Sequence, residues 1–291
     1  MSQQFTVIWL LAALASISVL GLWLEILKSK FIPASDIKSA IEVAKRLQED
    51  GFVPIINFLG EHYKNRDKIE QTVDAYVFLI DAIKKNGLKT KISVKPSQIG
   101  LAISKELYLR NLSRLVRRAH NQKVPLEIDM EESRFLEDTL EIFNQISGYF
   151  NVRQAVQSYF KRSEGDLKKL ISESARVRLV KGAYGESDLS REERKEQFWR
   201  FTEKLLLTGY NPAIATVRDK DLIEFVRRMR AKYHWGAKQL QQFSIQMLYG
   251  RADKLKRKLY GDGFRVEVYV PVGHWHKALP YIWRRVKEIC S

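Results

Sequence analysis

Beyond residue 30, the chain alternates between two kinds of hydrophobic pattern. Stretches with apolar residues every three or four positions, the spacing of one helix face, alternate with short runs dense in Val, Ile, Leu and Phe. Strands are predicted at 51–60, 89–100, 124–131, 152–160, 177–184, 213–217, 243–250 and 264–273. Helices are predicted at 35–50, 68–85, 105–121, 134–146, 164–174, 190–208, 220–233, 251–260 and 277–289.

This alternation predicts the α/β class. Counted from Gly51, eight strand-then-helix units fit into about 240 residues, which is what a (β/α)₈ barrel of the TIM type requires. An open doubly wound sheet is the alternative, although no glycine-rich dinucleotide fingerprint supports it. We expect residues 31–291 to form one barrel domain.

Residues 1–30 form a separate, short helical arm in this prediction. Residues 5–24 carry no charge, and at about 1.5 Å per residue such a helix would just cross a hydrocarbon core of about 30 Å. A signal peptide fits poorly because no basic residue precedes the run. A membrane anchor and a buried or interfacial helix both stay open. If the run is a single N-terminal span, Lys28 and Lys30 place the barrel in the cytoplasm, at the inner face of the membrane.

Net charge and composition limit the kinds of partner and ligand that we expect the protein to bind. The 291 residues carry a formal net charge of +16, which favours anionic partners. Lys and Arg are spread among Glu and Asp without an aromatic-interleaved basic cluster, so nucleic-acid binding is not expected. The single cysteine, Cys290, supports neither a disulfide framework nor a zinc cluster. His274 and His276 have ligand-like spacing but no third partner, so no metal site is predicted.

Polar side chains occupy the carboxyl-terminal parts of the predicted strands or the loops that follow them, where barrel enzymes build their sites. These residues are Glu61, Lys95, Asp129, Glu131, Gln157, Arg178, Lys181, Thr216, Gln246 and Tyr269. A charge at one strand end often marks only the point where the strand meets solvent. A full ring of such groups among Ile, Leu and Val is costly to desolvate unless they pair with one another or with a ligand. No Ser/His/Asp set or phosphate-cradling loop is present for acyl or phosphoryl transfer.

Two further segments suggest binding. Gly182 and Ala183 interrupt the predicted strand 177–184, where glycine is expected only if the backbone bends or something approaches it closely. A flat or phosphorylated cofactor lying against this backbone would explain them. On the last predicted helix, the adjacent Arg284 and Arg285 suit a carboxylate, although paired arginines on a basic helix are more often solvated.

Several motifs together resemble one family. The segments ISVKPSQIGL, EIDMEES, RLVKGAYGE, FSIQMLYG and YVPVGHWHKALPYIWRRVKE, in this order along the chain, are similar to those of the proline dehydrogenases. The resemblance runs from Phe31 to Glu288. It implies a flavin-dependent (β/α)₈ barrel that uses FAD to oxidise L-proline to Δ1-pyrroline-5-carboxylate and passes electrons to a membrane quinone. An apolar arm and a basic surface agree with attachment to an anionic cytoplasmic leaflet.

The resemblance also implies residue roles. Asp129 and Arg178 match catalytic positions, with Arg178 near the reactive edge of the flavin, and Glu61 matches a gating glutamate that pairs with an arginine. The implied substrate-binding residues are Lys95, Tyr269, Tyr281, Arg284 and Arg285. The implied FAD contacts are Met130, Gln157, Arg178, Lys181, Gly182, Ala183, Thr216, Gln246 and Glu288.

The chain departs from the family pattern after the sixth strand. Val217 and Arg218 stand where the family commonly has His followed by Asp or Asn, so a polar flavin contact is lost or replaced. Two alternatives therefore accompany the main prediction. One is a flavoenzyme of this family that acts on another imino or amino acid, and the other is a catalytically silent, membrane-associated barrel.

Overall fold

The structure is a computed structural model that describes residues 30–146, 148, 151–182, 186–215, 219–274 and 281–282. Its strands are β1 Val53–Phe58, β2 Lys91–Val94, β3 Leu126–Ile128, β4 Val152–Gln157, β5 Arg176–Val180, β6 Ala213–Ala215, β7 Ser244–Leu248 and β8 Arg265–Val272. Its helices are α1 Ile37–Glu49, α2 Arg66–Lys85, α3 Lys105–Gln122, α4 Ser133–Ile146, α5 Ser163–Ser172, α6 Arg191–Thr208, α7 Asp219–Tyr233, α8 Ala237–Leu240 and α9 Asp253–Gly261.

The eight strands form a closed, all-parallel barrel in sequence order, which confirms the predicted architecture. Closure comes from β8, which pairs with β1 over the register Val53–Glu267 to Phe58–Val272. The open doubly wound alternative is therefore wrong. The apolar run 5–24 and most of the predicted last helix lie outside the described residues. Within the described ranges, no helix is long and apolar enough to cross a bilayer.

Capping side chains stabilise the first turns of helices α1 and α6. The carboxylate of Asp36 accepts from the Ser39 backbone N–H at the start of α1. Ser190 and Glu193 form a reciprocal capping box at the start of α6, which satisfies two backbone donors that the helix cannot. The sequence pattern placed the main helices within two residues of these bounds. It missed α8 and a 3₁₀ turn at Pro96–Gln98, which are both shorter than the periodicity can detect.

Two chemically different regions make up the interior. Apolar side chains of the strands and the surrounding helices form the main core, which includes Tyr76, Leu112 and Phe198. The space inside the barrel is instead lined partly by buried polar residues. These are Asn57, Ser93, Glu127, Asp129, Arg153, Gln157, Ser244, Gln246 and Glu267. Because alternate strand residues point to the same face, Glu127 and Asp129 form two successive polar levels, lower and upper.

Candidate active site

Asp129, directly after β3, is the centre of a buried cluster at the carboxyl end of the barrel. Its Oδ1 accepts from Ser93 Oγ at 2.7 Å and from Arg178 Nη1 at 2.5 Å. Its Oδ2 accepts from Tyr269 Oη at 2.7 Å and lies 3.4 Å from Lys95 Nζ. Three strands, β2, β5 and β8, or the residue directly after them therefore supply four donors to one carboxylate. The structure brings together four of the residues that the sequence selected, and Ser93 joins them.

Electrostatics keep this carboxylate ionised. Burial alone would raise the pKa of Asp129, but the charges of Arg178 and Lys95 outweigh burial and hold that pKa at about 2. The pKa of Arg178 is raised, because the attraction of Asp129 and Glu127 exceeds the cost of its burial. At neutral pH, Asp129 is therefore an anion clamped between fixed cations, and it has little capacity to take up a proton.

Tyr269 contributes a neutral donor to the same cluster. Burial, followed by the neighbouring negative charge of Asp129, raises the pKa of Tyr269 well above its ordinary value. Its ring centroid lies 5.2 Å from the guanidinium carbon of Arg178, within cation–π range. Tyr269 therefore holds both members of the Arg178–Asp129 pair.

The loop after β2 is anchored by Glu131. Pro96 follows Lys95 directly and keeps it extended, and the 3₁₀ turn begins there. The buried carboxylate of Glu131 accepts from the Ser97 backbone N–H at 2.6 Å and from Ser97 Oγ at 2.7 Å. Burial raises the pKa of Glu131 above its ordinary value. Glu131 thus fixes the turn that carries Lys95.

Two residues that support the cluster, Ser93 and Tyr76, were not predicted from the sequence. Tyr76 Oη donates to the Ser93 carbonyl oxygen at 2.8 Å and accepts from the Phe58 N–H at 3.1 Å, tying β1 to β2 beneath the cluster. Ser93 lies two positions before Lys95, and strand residues two positions apart point to the same face. This spacing could have predicted that Ser93 points into the barrel beside Lys95. Tyr76 lies on the buried face of α2, where an aromatic residue gives no sign of a hydrogen bond.

Below Asp129 lies a second ionic level that the sequence did not predict. Arg153 Nη1 donates to Glu127 at 2.6 Å and to Glu267 at 3.1 Å, and Lys91 Nζ lies 2.6 Å from Glu267. Gln246, an implied FAD contact, donates from Nε2 to Glu127 and to Glu267, both at 2.8 Å. Gln246 therefore links the two lower carboxylates, and its contact with FAD stays a prediction.

Three implied flavin residues carry buried polar atoms without a hydrogen-bond partner in the described part of the chain. These atoms are Oε1 of Gln157, Nε of Arg178 and Oε1 of Gln246. Buried polar atoms normally find partners, so these three atoms leave hydrogen-bonding capacity for a polar ligand. One donor and two acceptors match the mixed N–H and C=O groups of a flavin ring. Met130 packs against Ala155 and Tyr159 beside them.

The glycine after β5 has a partner within the protein. Gly182 has a φ of +125°, and a Cβ there would lie 1.2 Å from Cε1 of Tyr159. The close approach that the sequence indicated is therefore explained by this tyrosine ring, without a cofactor. A contact between Gly182 and FAD stays a prediction.

The structure describes only some of the remaining residues that the resemblance implies. Glu61 follows β1 and is half-buried, and Lys181 follows β5. Tyr281 is buried in a cluster with Phe31 and Leu59, which places its side chain near the carboxyl end of β1. Ala183, Thr216, Arg284, Arg285 and Glu288 lie outside the described residues, as do Val217 and Arg218. No group of His, Cys, Asp and Glu that could hold a metal occurs in the ranges that the structure describes.

Comparisons with known proteins agree with the resemblance. The family model described as proline dehydrogenase matches residues 40–204 and 209–289. Proline dehydrogenase 1 of Bacillus subtilis (strain 168) is 33% identical over 265 residues, which cover 89% of this chain and 85% of that protein. Proline dehydrogenase of Deinococcus radiodurans is 30% identical over 273 residues, which cover 90% of this chain and 86% of that protein.

A solved structure shares the fold. The crystal structure of proline utilization A from Bdellovibrio bacteriovorus, inactivated by N-propargylglycine, superposes with a TM-score of 0.84 at 21% identity. The match covers 97% of this chain and 34% of that longer protein. At this identity the likeness concerns the fold, whereas the family model and the two relatives carry the assignment. The chain belongs to the proline dehydrogenase family.

Proposed function

We propose that this protein oxidises L-proline to Δ1-pyrroline-5-carboxylate with FAD as cofactor and passes the electrons to a quinone-type acceptor. The observation that carries the proposal is the buried cluster of Lys95, Asp129, Arg178 and Tyr269. It lies at the carboxyl end of the barrel in a member of the proline dehydrogenase family.

The residues present fit the cofactor. Gln157, Arg178 and Gln246 each offer a buried, unpartnered polar atom, and we assign these atoms to the polar edge of the flavin ring. FAD would supply the acceptor for the hydride, which leaves the substrate with the electron pair of the broken C–H bond. Arg178 is a permanent cation there, so it favours negative charge on a ligand beside it. Lys181 and Gly182 would lie against the same ligand, together with Ala183, Thr216 and Glu288 outside the described residues.

The chain's own residues position the substrate. Lys95 presents a cation to the substrate carboxylate from a loop that Pro96 and Glu131 hold rigid. Arg284 and Arg285 would grip the same carboxylate, with Tyr269 and Tyr281 against the substrate ring and Glu61 closing the site. Because the pKa of Asp129 is about 2, its proposed role is to hold Lys95, Arg178 and Tyr269 in register. A rigid cluster of this kind keeps the reacting C–H bond in one orientation.

The cellular setting is a proposal as well. The apolar run 5–24 and the net charge of +16 support attachment at the inner, anionic face of a membrane, where a quinone would be accessible. Fractionation of cells that make the full chain and a chain lacking residues 1–30 tests this attachment. Equal recovery of both chains in the soluble fraction would count against it.

A substrate panel tests the reaction. We would incubate the purified chain, supplied with FAD and a soluble quinone, with L-proline, D-proline, L-pipecolate or an acyclic amino acid. The proposal predicts formation of Δ1-pyrroline-5-carboxylate and matching quinone reduction with L-proline above all others. Faster turnover of L-pipecolate or an acyclic amino acid would favour the alternative flavoenzyme. Loss of turnover with every substrate, in protein that binds FAD, would favour the silent barrel.

A further inference from the structure

A second cavity lies at the amino-terminal end of the barrel, opposite the Asp129 cluster. Its volume is about 410 Å³, and its wall includes the first residues of three strands, Lys91, Arg176 and Arg265. The exposed residues Lys89 and Lys123 also line it, so it communicates with solvent. No step of the proposed reaction uses these residues.

The cavity carries a large excess of positive charge. Six Lys and Arg residues line it, against the two carboxylates of Glu127 and Glu267. Both carboxylates already accept from several donors, including Arg153 and Gln246. They therefore have little capacity to neutralise the remaining cations. Arg176 makes no ion pair or hydrogen bond from its side chain in the described ranges, and its guanidinium lies over the Tyr210 ring at 5.3 Å.

Buried donors in this cavity lack partners. The Nε atoms of Arg153, Arg176 and Arg265 are buried and make no hydrogen bond among the described residues. Arg153 is only 4% exposed, so bulk water does not replace the missing partner. Two smaller groups of the wall, Thr90 Oγ1 and Asn151 Oδ1, are also buried and unpaired. An unmade hydrogen bond at a buried polar atom is costly, which indicates a polar occupant.

One residue holds two of these guanidinium groups in place. Asn211 has a φ of +47°, a left-handed conformation that asparagine tolerates better than most residues. In this conformation its carbonyl oxygen accepts from Arg153 Nη2 at 3.2 Å, and its side-chain oxygen accepts from Arg265 Nη2. Burial, together with repulsion from Arg153 and Arg176, lowers the pKa of Arg265. The cations are therefore fixed close together despite their mutual repulsion.

We propose that this cavity binds a phosphate group, either inorganic phosphate or a phosphate monoester. A dianion would offset the excess charge and accept from the Nε–H groups of Arg176 and Arg265, which make no hydrogen bond among the described residues. Arg265 Nε also lies 3.7 Å from Oε1 of Glu267. If the occupant is inorganic phosphate, the one protonated oxygen of the hydrogen phosphate dianion would donate to Asn151 Oδ1. Lys89 and Lys123 would attract either anion from solvent. The proposal does not rest on proline oxidation.

Calorimetric titration tests the site. Inorganic phosphate and glycerol phosphate would each be titrated into the FAD-loaded, full-length protein at an ionic strength held constant with chloride. We expect saturable binding of at least one of them, weakened about tenfold or more in Arg176→Gln and in Arg265→Gln. Tighter binding of the ester would identify a metabolite as the source, whereas tighter binding of the free anion would identify inorganic phosphate. The control Arg228→Gln removes the same charge from an exposed position and should bind like the parent protein.

Thermal unfolding provides a second measurement. Phosphate stabilises many proteins by exclusion from their surfaces, and that effect grows without saturation. The proposed site predicts a saturable rise in Tm in the parent protein and in Arg228→Gln, and its loss in Arg176→Gln. An equal, non-saturating rise in all three proteins would overturn the proposal, as would equal phosphate affinity of the parent and both cavity variants.

Discussion

Arg178 of β5 donates from Nη1 to Oδ1 of Asp129 at 2.5 Å. The same nitrogen lies 3.8 Å from Oε2 of Glu127, two residues earlier on β3. One guanidinium therefore joins the upper cluster, where we place the reaction, to the lower ionic level of the barrel. Because both carboxylates constrain it, Arg178 has little freedom to move.

The geometry of this pair predicts that charge alone is insufficient at position 178. Arg178→Lys keeps the cation but loses the planar guanidinium fork, whose Nη1 atom contacts both Asp129 and Glu127. We expect kcat/KM for L-proline to fall about 100-fold, because a misplaced positioning group has an effect of that order. Steady-state kinetics measure it, and Arg200→Lys, an exposed position on α6, is the control. A kcat/KM within about twofold of the parent value would contradict the role of the fork.

Two hydroxyl groups on the same carboxylate should differ in importance. Tyr269 is the nearest donor to Oδ2 of Asp129, whereas Ser93 shares Oδ1 with Arg178. We expect Tyr269→Phe to lower the free energy of unfolding by about 1–3 kcal/mol, because it leaves a buried carboxylate oxygen poorly satisfied. Ser93→Ala should cost about 1 kcal/mol or less. Urea denaturation of both variants measures the difference, and a larger loss for Ser93→Ala would contradict this assignment.

Acid stability should report the Asp129 carboxylate. Its pKa of about 2 lies below the ordinary value of 3.8, so its contribution is present above about pH 4 and lost as pH falls through 2. The shift corresponds to about 2 kcal/mol in total, about half of it lost between about pH 5 and about pH 3.

The measurement is the free energy of unfolding in urea at these two pH values, for the parent and for Asp129→Asn. The variant should be less stable at both, because it leaves Arg178 buried without its carboxylate. Its loss of stability on acidification should be smaller than that of the parent by about 1 kcal/mol. Parallel losses in both proteins would show that Asp129 does not titrate as described.

The close approach of Tyr159 predicts a strong effect of a methyl group at Gly182. Gly182→Ala would place Cβ in the tyrosine ring and strain a φ of +125°, so we expect a loss of about 2–5 kcal/mol. Gly87 also has a positive φ, +64°, but its Cβ would meet nothing within 4 Å. Gly87→Ala should therefore cost only the backbone strain, about 1–2 kcal/mol. Equal losses in thermal or urea unfolding would argue against the Tyr159 contact.

The barrel could be predicted because its determinants are local. Each strand lies in a short run rich in apolar residues, and the large helices have a buried stripe, so the alternation appears in the sequence. Capping side chains also mark the starts of α1, α2, α3 and α6. The upper cluster could also be located, because Lys95 and Asp129 directly follow β2 and β3, and Arg178 and Tyr269 are polar residues within the apolar runs of β5 and β8. These four side chains lie close together only because β8 pairs with β1 and closes the barrel. The sequence of a single strand does not show this pairing.

The lower ionic level could not be predicted in the same way. Lys91 and Glu267 are 176 residues apart, and each alone resembles an ordinary charge in a strand. The spacing along β8 was the one indication, because Glu267 and Tyr269 are two positions apart and must point to the same side of the strand. The Gly182–Tyr159 contact shows a different limit. The glycine indicated a close approach correctly, but the sequence did not identify the group that approaches.

The most direct test is a visible absorption spectrum of the purified, FAD-supplied protein before and after anaerobic addition of L-proline. The proposed function predicts a yellow flavin band that L-proline bleaches, and Arg178→Lys should bleach much more slowly while retaining the band. A protein that binds no flavin would contradict the cofactor assignment. A flavin band that L-proline leaves unchanged would contradict proline oxidation at the Asp129 cluster.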